Sequence, residues 1–181
     1  MHYYPHLLLI AGTGRNTGKT LLASFIIEKF SVDFKLVGLK ISPHFHSGTE
    51  SLKAIHQNEN FNIYQERSLT SSKDSSRMLN AGASYVFYIE CYDEHMEEAF
   101  EKFLQVTDSS GPIVCESPAL RKYVQPGIFI IVDSQSNQNK KQDVLNIKTK
   151  SDLFIEMDKD NYDSKVDQLI YTTEGWVFQS N

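Results

Sequence analysis

Apolar positions along this chain gather into short runs, and polar, glycine-bearing stretches separate them. Leu7-Leu8-Leu9-Ile10-Ala11 is an unbroken apolar run. It reads as a strand over about residues 6–11, buried on both faces. Leu22, Phe25, Ile26 and Lys29 then follow at helical spacing, which predicts a helix over about 18–30. Lys35 to Ile41 is rich in strand formers and bounded by Pro43, and it completes a β-α-β unit as a second parallel strand. Phe61 to Gln65 alternates like a strand with one polar face, and Ser84 to Glu90 is a strongly apolar strand. Met96, Ala99, Phe100 and Phe103 recur at helical spacing within Tyr92–Val106, an amphipathic packing helix. Pro112 to Glu116 and Ile128 to Val132 read as core strands ended by Glu116 and Asp133, and Leu153 to Met157 as a further strand. The polar stretches are harder to place. Ser51 to Gln57 is expected as a short helix, Ser68 to Ser76 as a serine-rich loop, and 134–142 as a linker into a short helix. Asp74 is expected to cap a helix ending at Gly82. Tyr162 to Tyr171 looks helical, with Gly175 to Phe178 as an edge strand. Alternating strands and helices predict an α/β fold: three layers, a mostly parallel central sheet, and helices on both faces. No repeat or second domain is apparent, so residues 1–181 are expected to form a single domain.

The chemistry is expected where the first strand meets the first helix. Gly12, Thr13, Gly14, Arg15, Asn16, Thr17, Gly18, Lys19 and Thr20 fill that junction. Glycines let the backbone turn tightly and bring its amides to an anion, and the helix N-terminus adds partial positive charge at the same point. This is the context of a phosphate-binding loop. The amides of residues 14–20, with the loop extending to Leu21, would hold the β and γ phosphates of ATP or GTP. Lys19 would reach the outer phosphates, and the Thr20 hydroxyl would ligate Mg2+. The strict pattern G-x-x-x-x-G-K-[ST] asks for glycine where Thr13 stands, with Gly12 one residue earlier.

Composition narrows the setting. Apolar residues make up 40% and charged residues 23%, as in ordinary globular proteins. The net charge of -5 and the lack of a basic stripe argue against a nucleic-acid-binding face. Cys91 and Cys115 have no metal-ligand spacing and suggest a reducing compartment, although two cysteines could pair. No signal-peptide pattern and no apolar run of membrane-spanning length is present, so the cytoplasm is the expected location.

Ligands of open α/β sheets bind beyond the carboxyl ends of strands. Lys40, Ser42, His44 and His46 at the end of the second strand would therefore stand beside the loop. Lys40 would contact a phosphate or a second substrate. Glu116, a carboxylate closing an apolar strand, would hold the metal through water or orient the attacking group, with Asp74 as a further metal-side carboxylate. Arg121 is a candidate for a phosphate or a substrate carboxylate. Thr149-Lys150-Ser151-Asp152 matches the [NT]-K-x-D pattern that reads guanine, or it is simply the loop leading into the next strand.

Family resemblances follow from these residues. Gly12-Thr13-x-x-x-x-Gly18-Lys19-Thr20 resembles the loop of dethiobiotin synthetase and its relatives. The additional lysine of the ParA/MinD group is absent, since Gly14 occupies that position. Lys73-Asp74-Ser75-x-Arg77-x-x-x-Ala81-Gly82-Ala83 resembles a stretch of the molybdopterin-guanine dinucleotide biosynthesis protein B family, MobB. A phosphate loop after the first strand, and a lysine followed by histidines at the end of the second, occur in that family in the same order. These features span roughly residues 7–90. The MobB resemblance implies a Mg-dependent NTPase that assists a nucleotidyltransferase partner in molybdenum cofactor maturation. The dethiobiotin synthetase resemblance implies instead an ATP-dependent ligase with a small amine substrate beside Lys40. A third reading is a nucleotide-dependent adaptor without turnover. The nucleotide, ATP or GTP, and the oligomeric state stay open, a homodimer among the states admitted.

Overall fold

The computed structural model describes residues 1–46, 52–107, 110–134, 150–157 and 162–179. Its frame is an eight-stranded sheet in the order β3-β4-β5-β2-β6-β1-β7-β8. The strands are β1 (His2–Gly12), β2 (Val37–Ser42), β3 (Lys53–Gln57), β4 (Phe61–Gln65), β5 (Tyr85–Cys91), β6 (Ile113–Glu116), β7 (Val124–Asp133) and β8 (Leu153–Glu156). From β5 to β8 every neighbour is parallel, while β3 and β4 add an antiparallel hairpin at one edge. The carboxyl ends of all six parallel strands therefore lie along one rim.

Alternation along β1 sorts its side chains into two cores. Leu8 and Ile10 pack with Leu22, Ala23, Ile26 and Ile27 of α1 (Lys19–Phe30) and Met78 of α2 (Asp74–Asn80). Leu7, Leu9 and Ala11 pack with Met96, Ala99, Phe100 and Phe103 of α3 (Met96–Thr107) on the opposite face. A strand covered on both sides must be apolar at every position, which is the pattern residues 7–11 carry. The result is the expected mixed α/β architecture with a mostly parallel sheet. Among the described residues no helix is long and apolar enough to cross a membrane. Cys91 and Cys115 are both fully buried and unpaired. Burial pushes the Cys91 thiol up to about 12 and the Cys115 thiol well above its ordinary range, which disfavours the thiolate at both.

Several expectations from the sequence need correction. The described part of the Ser51–Gln57 stretch is not helical. It is the edge strand β3, whose Lys53, Ala54 and Gln57 pair with Gln65, Tyr64 and Asn62 of β4. Only that partner decides the conformation, because an edge strand this short and polar carries no clear periodicity. β1 and β7 are each longer than their apolar runs. His2–Tyr4 pairs with Val124–Pro126, and the register shifts before Leu8 meets Ile128. Pro5, which has no amide to donate, sits at that irregularity, and Gly127 lies against its carbonyl where a Cβ would collide. Asp74 is not the cap of α2. Lys73 holds that position and Asp74 stands in the first turn. Gly82, at φ +103°, does end the helical region, and the Gly82 amide bonds to the Leu79 carbonyl. The linker and short helix expected after Ser134 fall on residues outside those described.

The tail is corrected as well. The helix α4 (Tyr162–Val166) stops early, and β9 (Leu169–Thr172) pairs antiparallel with β10 (Gly175–Phe178). This hairpin forms its own two-stranded sheet, so β10 is not an edge strand of the main one. Tertiary packing overrides the helical pattern here. Trp176 is 2% exposed. Its ring meets Phe30 edge-on at 4.8 Å, and its indole N–H donates to the His6 carbonyl at 3.0 Å. Replacing Trp176 with Phe removes that hydrogen bond and part of a buried ring. We expect a loss of about 1–3 kcal/mol of unfolding free energy in urea titrations.

Candidate functional site

Strand register gathers the charged residues at the carboxyl rim. Ile10 of β1 pairs with Glu116 of β6, which in turn pairs with Lys40 of β2. The three side chains therefore leave the sheet on one face, the face that carries α1 and α2. The first turn of each helix then supplies a partner. The Thr20 hydroxyl of α1 donates to Glu116 Oε2 at 2.8 Å. Lys40 Nζ donates to Glu116 Oε1 and also stands 3.2 Å from Asp74 Oδ2 of α2. Glu116 is a carboxylate with 1% side-chain exposure, and these partners satisfy it. Lys40 is partly exposed, and Asp74 reaches solvent.

Residues 12–19 form a turn above this cluster. The Thr13 amide donates to the Val132 carbonyl at 3.0 Å, and the Thr13 hydroxyl donates to the Asp133 carboxylate. Asp133 also accepts the Ser134 amide at 2.9 Å. The residue that departs from the strict loop pattern is thus the one that pins the loop to the end of β7, where a glycine would have no hydroxyl to use. Asn16 and Gly18 both adopt left-handed backbone, at φ 56° and 90°. At Gly18 a Cβ would also come within 2.8 Å of Met157 Cγ, so both backbone and space call for glycine. A Cβ at Gly12 would stand 2.8 Å from Lys19 Cδ, because the lysine stem folds across that residue.

Lys19 Nζ donates to the Gly14 carbonyl at 2.7 Å and to the Thr17 hydroxyl at 3.3 Å. Partial burial holds its pKa below the ordinary lysine value. Glu116 and Asp74 pull it back up, and Lys40 adds to the depression. Gly18 stands at the N-cap of α1 and has no side chain to cap it, and the first turn holds no acidic residue. Its leading amides, with the positive end of the helix dipole, are left facing the turn. Arg15 and Asn16 are exposed at the tip, and the Leu21 side chain is exposed beyond it.

The loop, Lys40, Glu116 and Asp74 are therefore brought together. Two other candidates are not. Arg121 donates to the Val124 carbonyl at 3.2 Å, at the amino end of β7 and the opposite rim of the sheet. Asp152 accepts the Phe129 amide at 2.7 Å, level with Leu9 of β1 rather than with the loop. It works as a clamp at the start of β8, and Thr149 lies outside the described residues. His44 and His46 follow β2 at the carboxyl rim. His46 Nε2 is 3.1 Å from Ser42 Oγ, and its amide donates to Glu90 Oε1 at 2.9 Å. Among the described residues no group of three or more His, Cys, Asp and Glu stands close enough to hold a metal.

Two further carboxylates escaped the sequence reading. Glu90, buried, holds the chain that follows β2. Glu66, also buried, accepts the Arg67 and Ser68 amides and the Ser75 hydroxyl at 2.7 Å. It thereby anchors the first turn of α2, which carries Asp74. Its position directly after the alternating run of β4 was the one available signal. Comparison with family models, with curated proteins and with solved structures finds no match for this chain.

Proposed function

We propose that this protein is a P-loop NTPase that binds a Mg-nucleoside triphosphate at the Gly12–Thr20 turn and hydrolyses it slowly. The observation that carries the reading is Lys19 folded across a turn with left-handed residues at the uncapped N-terminus of α1, while the next residue, Thr20, is bonded to the buried Glu116. The loop amides and Lys19 bind the phosphate oxygens, and Lys19 exchanges the Gly14 carbonyl for them. Thr20, Glu116 and Asp74 offer only oxygen donors, which fits a hard cation such as Mg2+ and leaves room for water and phosphate oxygens. When bound, the ion neutralises charge on the phosphates. Glu116 orients the attacking group, directly or through water. The sequence order of loop, Lys40 with His44 and His46, and Lys73–Ala83 supports a place among accessory NTPases of molybdenum cofactor assembly, acting with a protein partner.

Calorimetry with ATP, GTP and their diphosphates, with and without Mg2+, tests this reading. Absence of heat for every nucleotide overturns it. Substrate-dependent release of ADP would favour the ligase, and tight binding without phosphate release would favour the adaptor. The same measurement carries a pH prediction. In the window between the depressed Lys19 pKa and 10.5, the unfolded chain binds a proton that the folded empty protein has shed. The Lys19 contribution to stability of the empty protein thus rises with pH through that window. Phosphate restores the proton, so nucleotide binding takes up a proton at alkaline pH and affinity falls as pH rises. Binding heats that do not depend on buffer ionisation enthalpy there would contradict this.

A further inference from the structure

The ammonium of Lys40 lies between two of the three groups assigned to the metal. It is bonded to Glu116 Oε1 and stands 3.2 Å from Asp74 Oδ2, and the other Glu116 oxygen takes the Thr20 hydroxyl. Without a cation, two carboxylates converging from β6 and α2 repel each other, and the buried one carries an uncompensated charge. A divalent ion needs these same oxygens. Among the described residues no third carboxylate, histidine or cysteine completes a site for it. The described residues therefore offer too few ligands by themselves, and the Lys40 ammonium already stands against two of the carboxylates.

We propose that Lys40 is the resident cation of the empty site and exchanges with a divalent metal ion, so that the metal enters only together with the triphosphate whose oxygens complete its shell. This rests on the reading of Thr20, Glu116 and Asp74 as the metal's ligands. The exchange replaces one positive charge by two at the moment the phosphates bring negative charge. It links metal loading to nucleotide loading and frees the Lys40 ammonium for the phosphate or second substrate. The lysine is thus a positioning residue before it is a contact residue.

The test uses Mn2+ alone, with its free concentration read by electron paramagnetic resonance. Wild-type protein is expected to bind Mn2+ weakly. Lys40→Met is expected to bind it at least about tenfold more tightly, since two carboxylates lose their internal competitor. The double variant Lys40→Met/Glu116→Gln should return to the wild-type level. Equal or weaker Mn2+ binding by folded Lys40→Met overturns the proposal. Should that variant fail to fold, because Glu116 is buried beside it, the wild-type chain carries the test by NMR of the Lys40 side-chain nitrogen. Its signal should shift on adding Mg2+ with a non-hydrolysable triphosphate and stay in place with Mg2+ alone. A signal left unmoved by a combination that calorimetry shows to bind overturns the proposal, and so does a shift with Mg2+ alone. The Mn2+ measurement contains no nucleotide, so failure of the nucleotide reading, seen as absent heat in calorimetry, is distinguished from failure of the exchange.

Discussion

Lys19→Ala is expected to lose at least a hundredfold in nucleotide affinity while keeping its fold. A hydrogen bond to a charged group contributes about 1.5–3 kcal/mol, and Lys19 would make two or more to the outer phosphates. A loss of about 3–5 kcal/mol corresponds to roughly two to four powers of ten in Kd. The empty protein should not suffer in parallel. There, among the described residues, the ammonium bonds to the Gly14 carbonyl and the Thr17 hydroxyl, and burial already disfavours its charge. The thermal midpoint without ligand should therefore stay level or rise. Calorimetry with the triphosphate and thermal melts of the empty protein check both halves. Wild-type affinity in the variant would remove Lys19 from the phosphate site.

Glu116→Gln is expected to spare most of the binding and to slow phosphate release by about a hundredfold to ten-thousandfold, the range of a positioned acid–base group. The amide keeps the shape of the carboxylate and can still accept from Thr20. It cannot orient a nucleophile through a full negative charge, nor balance Lys40. The variant is also expected to lose unfolding free energy, because among the described residues Lys40 then keeps the more exposed Asp74 as its carboxylate partner. Single-turnover hydrolysis, paired with binding of a non-hydrolysable analogue, separates the two effects. An unchanged rate would take Glu116 out of the chemistry and leave it as a structural anchor for α1 and β2.

Much of the site was legible because its signals are local. A strand, a glycine-rich turn and a helix follow one another within residues 7–30, and each needs only its own periodicity or backbone freedom to be recognised. Lys40 and Glu116 were legible by rule, each standing near the end of an apolar run where parallel strands present their carboxyl ends. Their contact was not, since it depends on β2 and β6 being neighbours at matching register. Asp152 and Arg121 show the converse. Their residue types suited a ligand, yet the topology sets both away from the loop, where backbone groups of β7 occupy them.

The sequence by itself determined the alternation of strands and helices, the two apolar faces of the central strands, and the turn that precedes α1. These follow from patterns within a few residues, where sterics and solvent contact act without help from the rest of the chain. Only the tertiary structure decided what those elements touch. Thr13 meets Asp133 across 120 residues, Thr20 meets Glu116 across 96, and Lys40 meets Glu116 across 76. Sheet order and strand register fix such pairs, and those are set by the burial of both cores at once. The same holds for the β9–β10 hairpin, where pairing with β10 and the packing of Trp176 on Phe30 make a strand of Leu169–Thr172, against the helical pattern that runs to Tyr171.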